Sequence, residues 1–380
     1  MNLKYYQICN NSYQVSPFLK KRRKMIKRST YFVFYFVLCV GITATLASPV
    51  DFIPCCSDLN RQTRAQEQIY SGKIIDTHAH LDPGTDSKYI DEMTSLITQE
   101  IVSGIFLMPT PNHGLRSNSG KSSEQTAYLF ERTNGVVKGL CGADYLNVWL
   151  GRSEGKVSEQ DLKQRLQRLA HQLNENWCFG VGEIAIRHFV KWNGQHKLIV
   201  PFGSNGLQGL LKLAESNGKP VDLHVEPMER NGKSSEKEWF SEIDLLFSRY
   251  PGLNVILSHT AMTRAENVKK LIEKYPNVFF NIKIINRHKN WNNLEPVNAN
   301  KSRGREIYEN WAQLFEKYPE RSFIGTDFKF GRNTKKGGGK KDQVNKYVKM
   351  IRRYRKFLGS IDPEAAEMIA YKNAHKFFTF

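Results

Sequence analysis

Hydrophobic and polar positions alternate along the chain in a regular way from residue 73 onward. Short runs rich in Val, Ile, Leu and Phe are separated by stretches in which apolar residues recur at helical spacing. Apolar runs of this length are typical of strands that are buried on both faces, as in a parallel sheet. The eight predicted strands cover residues 73–80, 101–108, 136–143, 178–186, 221–226, 254–260, 278–283 and 323–328.

The stretches between these runs predict amphipathic helices. In residues 159–174, for example, leucines return every three or four positions and would form one apolar face. The same spacing predicts helices at residues 207–215, 237–249, 265–274, 307–317 and 344–358.

The alternation of strands and helices predicts an α/β fold with a parallel sheet. Eight such units over about 300 residues fit a closed (β/α)8 TIM-type barrel, which typically needs about 250 residues. A doubly wound open sheet is the alternative, but no glycine-rich phosphate-binding motif opens the first unit. No linker-like composition follows residue 73, so we predict one barrel domain at residues 73–380, preceded by a linker at 48–72.

The N-terminus has the order of a secretory signal peptide. A basic stretch at residues 20–28 precedes an apolar run at 31–46, and small residues follow around Ala47. The run is shorter than the roughly 20 residues of a typical spanning helix. We therefore predict a signal peptide at residues 1–47 and an exported protein, periplasmic or secreted. An uncleaved membrane anchor is the alternative, and a second interpretation treats residues 1–24 as a mis-assigned extension before Met25.

The charge balance favours an anionic partner. The chain carries 56 Lys and Arg against 37 Asp and Glu, a net charge of +19. Residues 1–47 hold eight of the basic residues and no acidic one, so the remainder has 48 against 37, or +11. Such a charge attracts anions at long range without identifying them.

Six cysteines are present, and four of them lie beyond residue 47: Cys55, Cys56, Cys141 and Cys178. An exported protein could pair some of them. Buried free thiols at Cys141 and Cys178 are the alternative. No CxxC spacing occurs, which argues against a zinc site built from thiolates.

Ionisable side chains stand at the C-terminal ends of five predicted strands. His78 and His80 end the first strand and, two residues apart, would point to the same face. Equivalent positions on the fourth, fifth, sixth and eighth strands are occupied by Glu183, His224, His259 and Asp327. In a closed barrel these strand ends converge on one mouth, where such enzymes keep their active sites. Burying the six side chains together without a cation would be costly, so we predict that they bind a divalent metal.

Each of these residues has an ordinary interpretation when it is taken alone. A single His at a strand end is more often a hydrogen-bonded structural residue, and a lone acid after an apolar run commonly caps a helix. The joint pattern is what favours a metal. Nitrogen and carboxylate ligands without thiolate suit Zn2+ first, with Mn2+, Fe2+, Co2+ or Mg2+ as alternatives. We predict one or two ions.

With these motifs, the chain from about Ile74 to its C-terminus resembles the amidohydrolase superfamily of metal-dependent hydrolases. The Val-Gly-Glu-Ile motif around Glu183 looks like the TatD-like branch, in which a Glu bridges two metals. The Ser-His-Thr motif around His259 and the closing residues 367–374 look more like the amidohydrolase-related branch.

The resemblance implies a role for each of the six residues. His78, His80 and Asp327 would hold one ion, while His224 and His259 would hold a second. Glu183 and a hydroxide would bridge ions roughly 3.5–4 Å apart. Asp327 would be the catalytic residue, because it would orient that hydroxide, take its proton and pass it to the leaving group. A one-metal version, in which His224 and His259 serve the substrate, stays open.

Cationic residues near the predicted mouth are candidate substrate contacts, namely Arg187, Arg264, Lys329 and Arg332. Either of the first two could equally pair with a carboxylate. The last two belong to a glycine- and lysine-rich segment at residues 329–341. That segment predicts either a mobile, positively charged lid over the mouth or a solvated charge run.

Other ionisable residues receive weaker interpretations. Asp144, at the end of the third strand, is predicted either to cap a helix or to face the mouth. The remaining histidines are predicted in loops and helices and interpreted as ordinary surface or packing residues: His113, His171, His188, His196, His288 and His375.

The leading prediction is an exported metal-dependent hydrolase that cleaves an ester, lactone, amide or phosphoester bond in an anionic small molecule. The alternatives are a TatD-like nuclease, a decarboxylase of the amidohydrolase-related type and a non-catalytic metal-binding barrel. The six tryptophans form no interleaved basic and aromatic stripe, so base stacking on nucleic acid has no specific support. Membrane contact is expected only through an uncleaved N-terminal segment, and the oligomeric state is not predicted.

Overall fold

We analysed a computed structural model that describes residues 69–81, 90, 93–94, 101–111, 121–153, 157–189, 197–227, 236–284, 298–299, 306–307, 309–331 and 340–379. All of these residues belong to one unit, which spans Ile53–Phe380. The predicted targeting segment at residues 1–47 lies outside the described residues, as does most of the predicted linker.

Eight parallel strands close into a barrel. Each strand pairs with the next one along the chain, and the first pairs with the last through Asp76 and Ile324. The closed parallel sheet confirms the predicted (β/α)8 TIM-type architecture. The strands are β1 Ile75–Leu81, β2 Gly104–Met108, β3 Val137–Gly142, β4 Cys178–Phe189, β5 Val221–Val225, β6 Val255–Leu257, β7 Val278–Ile282 and β8 Ser322–Ile324.

Helices follow the strands and cover the barrel from outside. Six of them agree with the sequence pattern to within a few residues at either end. Among the described residues, we find no helix that combines the length and the apolar composition needed to cross a bilayer. The helices are α1 Lys121–Arg132, α2 Ala143–Ser153, α3 Glu159–Leu173, α4 Asn205–Ser216, α5 Glu236–Arg249, α6 Ala265–Lys274, α7 Glu309–Lys317 and α8 Lys340–Leu358.

Helices α1 and α2 were not predicted. For α2 the reason is local, since residues 137–150 are mostly apolar and the sequence shows no clear boundary between strand and helix. The structure places that boundary at Gly142, whose φ of 88° favours glycine and turns the chain out of β3.

Short elements extend this frame. The strand Lys197–Ile199 pairs antiparallel with the end of β4, and Phe328–Phe330 pairs parallel with the end of β1. Asn298–Ala299 and Glu306–Ile307 form a separate two-stranded sheet. The chain ends in helical turns at Pro363–Glu367, Met368–Lys372 and Asn373–Phe377.

The interior of the barrel is apolar near the N-terminal ends of its strands. Inward-facing side chains from several strands form a buried cluster there, and Phe378 from the C-terminal segment packs into it. The Phe378 ring centroid lies 4.2 Å from that of Phe106. Polar inward-facing residues are therefore concentrated toward the opposite end, where the strands finish.

A disulfide joins two neighbouring strands. Cys141 on β3 and Cys178 on β4 are both buried, and their Cα atoms lie 5.7 Å apart. The sequence left this pairing open, and the structure contains the bond.

Candidate metal centre

The last part of β1 places two imidazoles inside the barrel. His78 and His80 are fully buried, and their rings meet edge-on with centroids 5.0 Å apart. His78 Nδ1 lies 3.0 Å from Asp222 Oδ2, and His80 Nδ1 lies 3.3 Å from the carbonyl oxygen of Met108. When Nδ1 donates its hydrogen to these acceptors, Nε2 of each ring is left unprotonated and available as a ligand.

The carboxylate of Glu183 lies among four imidazoles. Its Oε2 is 3.7 Å from His78 Nε2 and 3.6 Å from His80 Nε2. Its Oε1 is 2.8 Å from His224 Nδ1 and 3.5 Å from His259 Nε2. One oxygen therefore faces each pair of histidines, which is the arrangement that a bridging ligand requires.

Glu183 reaches this position because β4 and β5 approach each other closely just before it. A Cβ on Gly182 would lie 2.8 Å from Cβ of Asp222, a distance that only glycine avoids. The side chain of Asn147 on α2 then fixes the backbone on both sides of Ile184. Its amide donates to the Glu183 carbonyl at 2.6 Å, and its oxygen accepts from the Ala185 N–H at 2.9 Å.

His259 and Asp327 come from turns rather than from strands, because β6 ends at Leu257 and β8 at Ile324. Both adopt left-handed backbone conformations, with φ values of 59° and 51°. Non-glycine residues rarely adopt this region unless their surroundings hold them there, and they cluster at functional sites. The His259 N–H donates to Asn281 Oδ1 at 2.7 Å, and the Asp327 N–H donates to the His78 carbonyl at 2.7 Å.

The Asp327 carboxylate completes the cluster. Its Oδ1 lies 2.8 Å from His80 Nε2, and its Oδ2 lies 4.0 Å from His259 Nε2. All six residues predicted from the sequence as metal ligands are thus brought together at the mouth of the barrel.

The cluster leaves buried polar atoms without hydrogen-bond partners. These atoms are His78 Nε2, whose distance to the Glu183 carboxylate is 3.7 Å, and His259 Nδ1. Unsatisfied atoms of this kind are rare in folded proteins because each one costs free energy. A cation beside Glu183 would satisfy His78 Nε2.

The geometry of the side chains fits a divalent metal. The ligand atoms of His78, His80 and Asp327 lie within 4.8 Å of one another, and so do those of His78, Glu183 and His259. Imidazole nitrogens and carboxylate oxygens without thiolate are the donors that Zn2+ and related ions accept.

The protonation states of the carboxylates suit metal binding. Burial opposes ionisation of Glu183, but His78 and His224 hold its pKa well below the usual range. Burial likewise opposes ionisation of Asp327, yet Lys283 and Lys329 hold its pKa well below the usual range. Both carboxylates are therefore charged, as ligands must be.

The histidines differ among themselves. Burial lowers the pKa of His259 well below its usual value, and Lys283 adds to the effect. Burial also lowers the pKa of His80, assisted by Lys329. For His78, burial acts in the same direction, but Asp222 and Glu183 outweigh it and raise the pKa well above the usual value. In the metal-free protein both ring nitrogens of His78 therefore carry hydrogen. An ion would have to displace the hydrogen on Nε2.

A layer of hydrogen-bonding residues behind the ligands was missed in the sequence. Asp222 accepts hydrogen bonds from the Ser258 hydroxyl and, at 2.8 Å, from Asn281 Nδ2, while its Oδ2 also faces His78. Carboxylates in this position fix the orientation of a metal-binding imidazole. The available signal was spacing, since Asp222 stands two residues before His224 on the same strand and so shares its face.

A second buried carboxylate ties β1 to the turn that carries Asp327. Asp76 accepts hydrogen bonds from the Thr326 N–H at 3.0 Å, the Thr326 hydroxyl at 2.6 Å and the Tyr347 hydroxyl at 3.0 Å. Burial raises the pKa of Asp76 to about 6, although these hydrogen bonds act against the shift. The network connects β1, α8 and the segment after β8.

Of the predicted substrate contacts, Lys329 lies at the cluster, with its Nζ 3.4 Å from Asp327 Oδ1. Arg187 is buried and donates to Glu242 Oε2 at 2.8 Å and to the Glu226 carbonyl at 3.2 Å. Arg264 is half-exposed, and its Nη2 lies 3.8 Å from Glu236 Oε1. Arg332 lies outside the described residues, as do residues 333–339 of the predicted lid.

Another cation at the cluster was not predicted. Lys283, which follows β7, forms an ion pair with Asp327 Oδ2 and is 23% exposed toward the mouth. It stands two residues after Asn281, so the periodicity of β7 was again the available signal.

The predicted placement of His188 in a loop or helix is wrong. β4 continues through Phe189 because its end pairs with Lys197–Ile199, and His188 is therefore a strand residue beside His224, with ring centroids 4.4 Å apart. Asp144 lies in the first turn of α2, where its Oδ2 accepts from the Ser123 hydroxyl at 3.0 Å.

Comparisons with known proteins give no match to a protein-family model. The search of curated proteins also gives no match.

Solved structures do match, at low sequence identity. A dihydroorotase from Saccharomyces cerevisiae in complex with 5-fluoroorotic acid is 14% identical, with a TM-score of 0.48 over 83% of this chain and 86% of that one. A putative amidohydrolase from Staphylococcus aureus is 13% identical, with a TM-score of 0.47 over 81% and 100%. A probable 2-pyrone-4,6-dicarboxylic acid hydrolase from Acinetobacter baumannii, with citric acid bound, is 13% identical, with a TM-score of 0.44 over 81% and 100%.

Proposed function

We propose that this protein is an exported metal-dependent hydrolase that cleaves an ester, lactone, amide or phosphoester bond in an anionic small molecule. The observation that carries the proposal is the position of Glu183, with one carboxylate oxygen toward His78 and His80 and the other toward His224 and His259. This donor set suits a pair of divalent ions that share one carboxylate.

The six residues divide between two ion positions. His78, His80 and Asp327 would hold the first ion, and His224 and His259 the second, with Glu183 shared between them. A divalent ion held by these residues, with zinc as the first choice, would polarise the substrate oxygen and lower the pKa of water enough to make water a nucleophile at neutral pH.

Asp327 is the residue best placed to move the proton. It is 11% exposed toward the mouth, whereas Glu183 is 2% exposed. Lys283 and Lys329 keep Asp327 ionised, so it can accept a proton from the attacking water. When the bond between the substrate carbonyl or phosphoryl centre and the leaving group breaks, the same proton passes from Asp327 to the leaving atom.

Two ammonium groups support an anionic substrate. Lys283 and Lys329 both contact Asp327, and each is 23% exposed at the mouth. Once Asp327 shares its charge with a cation, these lysines are free to attract a carboxylate or phosphate on the substrate. They act in the same direction as the +11 net charge of the chain after residue 47.

The chemistry is tested with metal-loaded protein and a panel of esters, lactones, amides and phosphoesters, each in an anionic and a neutral version. We expect Asp327→Asn to lower kcat by about 10²–10⁴-fold, the range typical of a positioned acid or base. Lys283→Met should raise KM for the anionic substrates alone. The matched control is Asp244→Asn on α5, which pairs with Lys274 instead of the cluster.

Other activities would contradict the hydrolase assignment. Metal-loaded protein that hydrolyses no member of the panel, but releases CO2 from an aromatic carboxylic acid, would be a decarboxylase. Metal-dependent digestion of single-stranded DNA would identify a nuclease, and full metal loading without either activity would leave a binding protein. Export is tested separately by N-terminal sequencing, for which we expect a mature chain that begins at Ser48.

A further inference from the structure

We propose that Glu226 and His188 are positioning residues for His224, and that they govern the second ion position. They hold the His224 ring in the orientation and tautomer that present Nδ1 to Glu183. The inference rests on the metal centre of the proposed function, but it concerns residues that neither the sequence motifs nor that function includes.

A single carboxylate oxygen links the two histidines. Glu226 Oε1 lies 2.8 Å from His224 Nε2 and 3.0 Å from His188 Nδ1. Because a carboxylate oxygen accepts, both nitrogens carry hydrogen and donate to it. His224 Nδ1 lies 2.8 Å from Glu183 Oε1 and donates its hydrogen to that oxygen in the metal-free protein. Because Glu226 holds the hydrogen on Nε2, Nδ1 is the nitrogen that would give up its hydrogen and become a ligand when an ion binds between the ring and Glu183.

Glu226 is itself held from several directions. Its second oxygen, Oε2, accepts from the Phe189 N–H at 3.1 Å. The backbone N–H of Glu226 donates to the Arg187 carbonyl at 3.0 Å, and the Glu226 carbonyl accepts from Arg187 Nε at 3.2 Å. Arg187 is in turn anchored on Glu242 at 2.8 Å. The carboxylate is thus fixed between the ends of β4 and β5, and it can impose an orientation on the ring.

At the first ion position a different carboxylate orients the histidine. Asp222 binds His78 through Nδ1 and leaves Nε2 toward the centre, whereas Glu226 binds His224 through Nε2 and leaves Nδ1 toward the centre. Carboxylates that orient metal-binding histidines typically contribute 10–100-fold to metal affinity. Removal of Glu226 should therefore weaken the second position and spare the first.

The test compares metal occupancy in native protein, Glu226→Gln and His188→Gln. Gln at position 226 can still accept the Phe189 N–H, but its amide nitrogen cannot accept from either histidine. We expect native protein to hold two equivalents of Zn2+ by elemental analysis during titration with a competing chelator. In Glu226→Gln the second equivalent should bind 10–100-fold more weakly while the first is unchanged. His188→Gln should have the same effect in smaller degree.

Co2+ provides a readout that loss of folding stability alone would not move. We expect Glu226→Gln to alter the visible absorption that accompanies the second equivalent of Co2+ and to leave that of the first unaltered. The matched control is Glu131→Gln, an exposed residue of α1 whose carboxylate accepts from Asn176 at 3.4 Å. It should reproduce both equivalents and both spectra.

The outcomes separate this inference from the proposed function. Equal weakening of both equivalents in Glu226→Gln, or of neither, would overturn the positioning role. A third equivalent in native protein that disappears in both variants would mean that His188, His224 and Glu226 form a metal site themselves, and would also overturn it. Two equivalents with the expected selective loss, but no hydrolysis, would support the inference and contradict the hydrolase. Native protein that binds no divalent ion would overturn both.

Discussion

The carboxylate of Glu183 decides whether four buried imidazoles can share the mouth of the barrel. Its oxygens approach His78, His80, His224 and His259 at 2.8–3.7 Å, although the residue is almost completely buried. A buried charge of this kind persists only when it is paired or when it binds a cation. In the free protein the carboxylate is paired with charge on the histidines, and in the proposed metal centre it would also offer one oxygen to each ion position.

Replacement of Glu183 by Gln should abolish both ion positions. A glutamine carries no charge, and its amide nitrogen would direct hydrogens toward one pair of histidines. We expect divalent-metal affinity to fall by more than about 100-fold, beyond the range typical of an outer partner such as Glu226. Elemental analysis and calorimetric titration measure the effect, with Glu131→Gln as control. Retention of either equivalent at native affinity would contradict a bridging role.

The clustering of the six predicted ligands could be expected from the sequence because strand period and strand order are enough to bring them together. Side chains two apart on a strand share a face, and the ends of parallel strands meet at one mouth. Glu226 and His188 could not be predicted in the same way. His188 follows Arg187, at which the apolar run breaks, so the sequence suggested that β4 had ended. Its strand conformation depends on pairing with Lys197–Ile199, a contact that no local pattern encodes.

At the scale of elements, the backbone conformation of the turns after β6 and β8 could not be predicted from the sequence. His259 and Asp327 were expected at strand ends, but each stands in a left-handed turn. That conformation usually signals glycine, and neither turn contains glycine at the position in question. The backbone N–H groups of His259 and Asp327 donate to Asn281 and to the His78 carbonyl, so the conformation is set by distant parts of the chain.

The C-terminal segment contributes the side chain that packs into the apolar end of the barrel. Phe378 is 4% exposed, and its ring contacts Phe106 and Phe323 inside the sheet. Phe378→Ala should lower the free energy of unfolding by about 3–5 kcal/mol, as is typical when a buried phenylalanine is truncated. Denaturant unfolding measures the change.

The matched control for that variant is Tyr128→Ala on α1, because Tyr128 is 47% exposed. It should change the free energy of unfolding by less than about 1 kcal/mol. Metal stoichiometry should be native in Phe378→Ala, since the cavity would open at the end of the barrel away from the ligands. A loss equal to that of the control would show that the segment does not pack as described.

In the molecule as a whole, the apolar packing and the ionisable residues lie at opposite ends of the barrel. The apolar cluster closes one end, while carboxylates, imidazoles and lysines gather at the other. The ligands come from β1, β4 and β5 and from the turns after β6 and β8, so an ion bound there joins segments that are up to 249 residues apart in sequence, from His78 to Asp327. The unfolded chain cannot offer this set of ligands together.

Ion binding should therefore stabilise the entire fold. An ion that binds only the folded state adds about 2.7 kcal/mol when its free concentration is 100 times Kd. For a domain of this size we expect Tm to rise by several degrees on addition of Zn2+ and to fall again with excess chelator. Thermal unfolding followed by circular dichroism measures the shift.

His78→Ala removes a ligand of the first ion and should flatten the dependence of Tm on ion concentration. If native protein and His78→Ala respond to the ion equally, the ion binds elsewhere on the protein, and the cluster at the mouth is a hydrogen-bonded network of histidines and carboxylates without a metal.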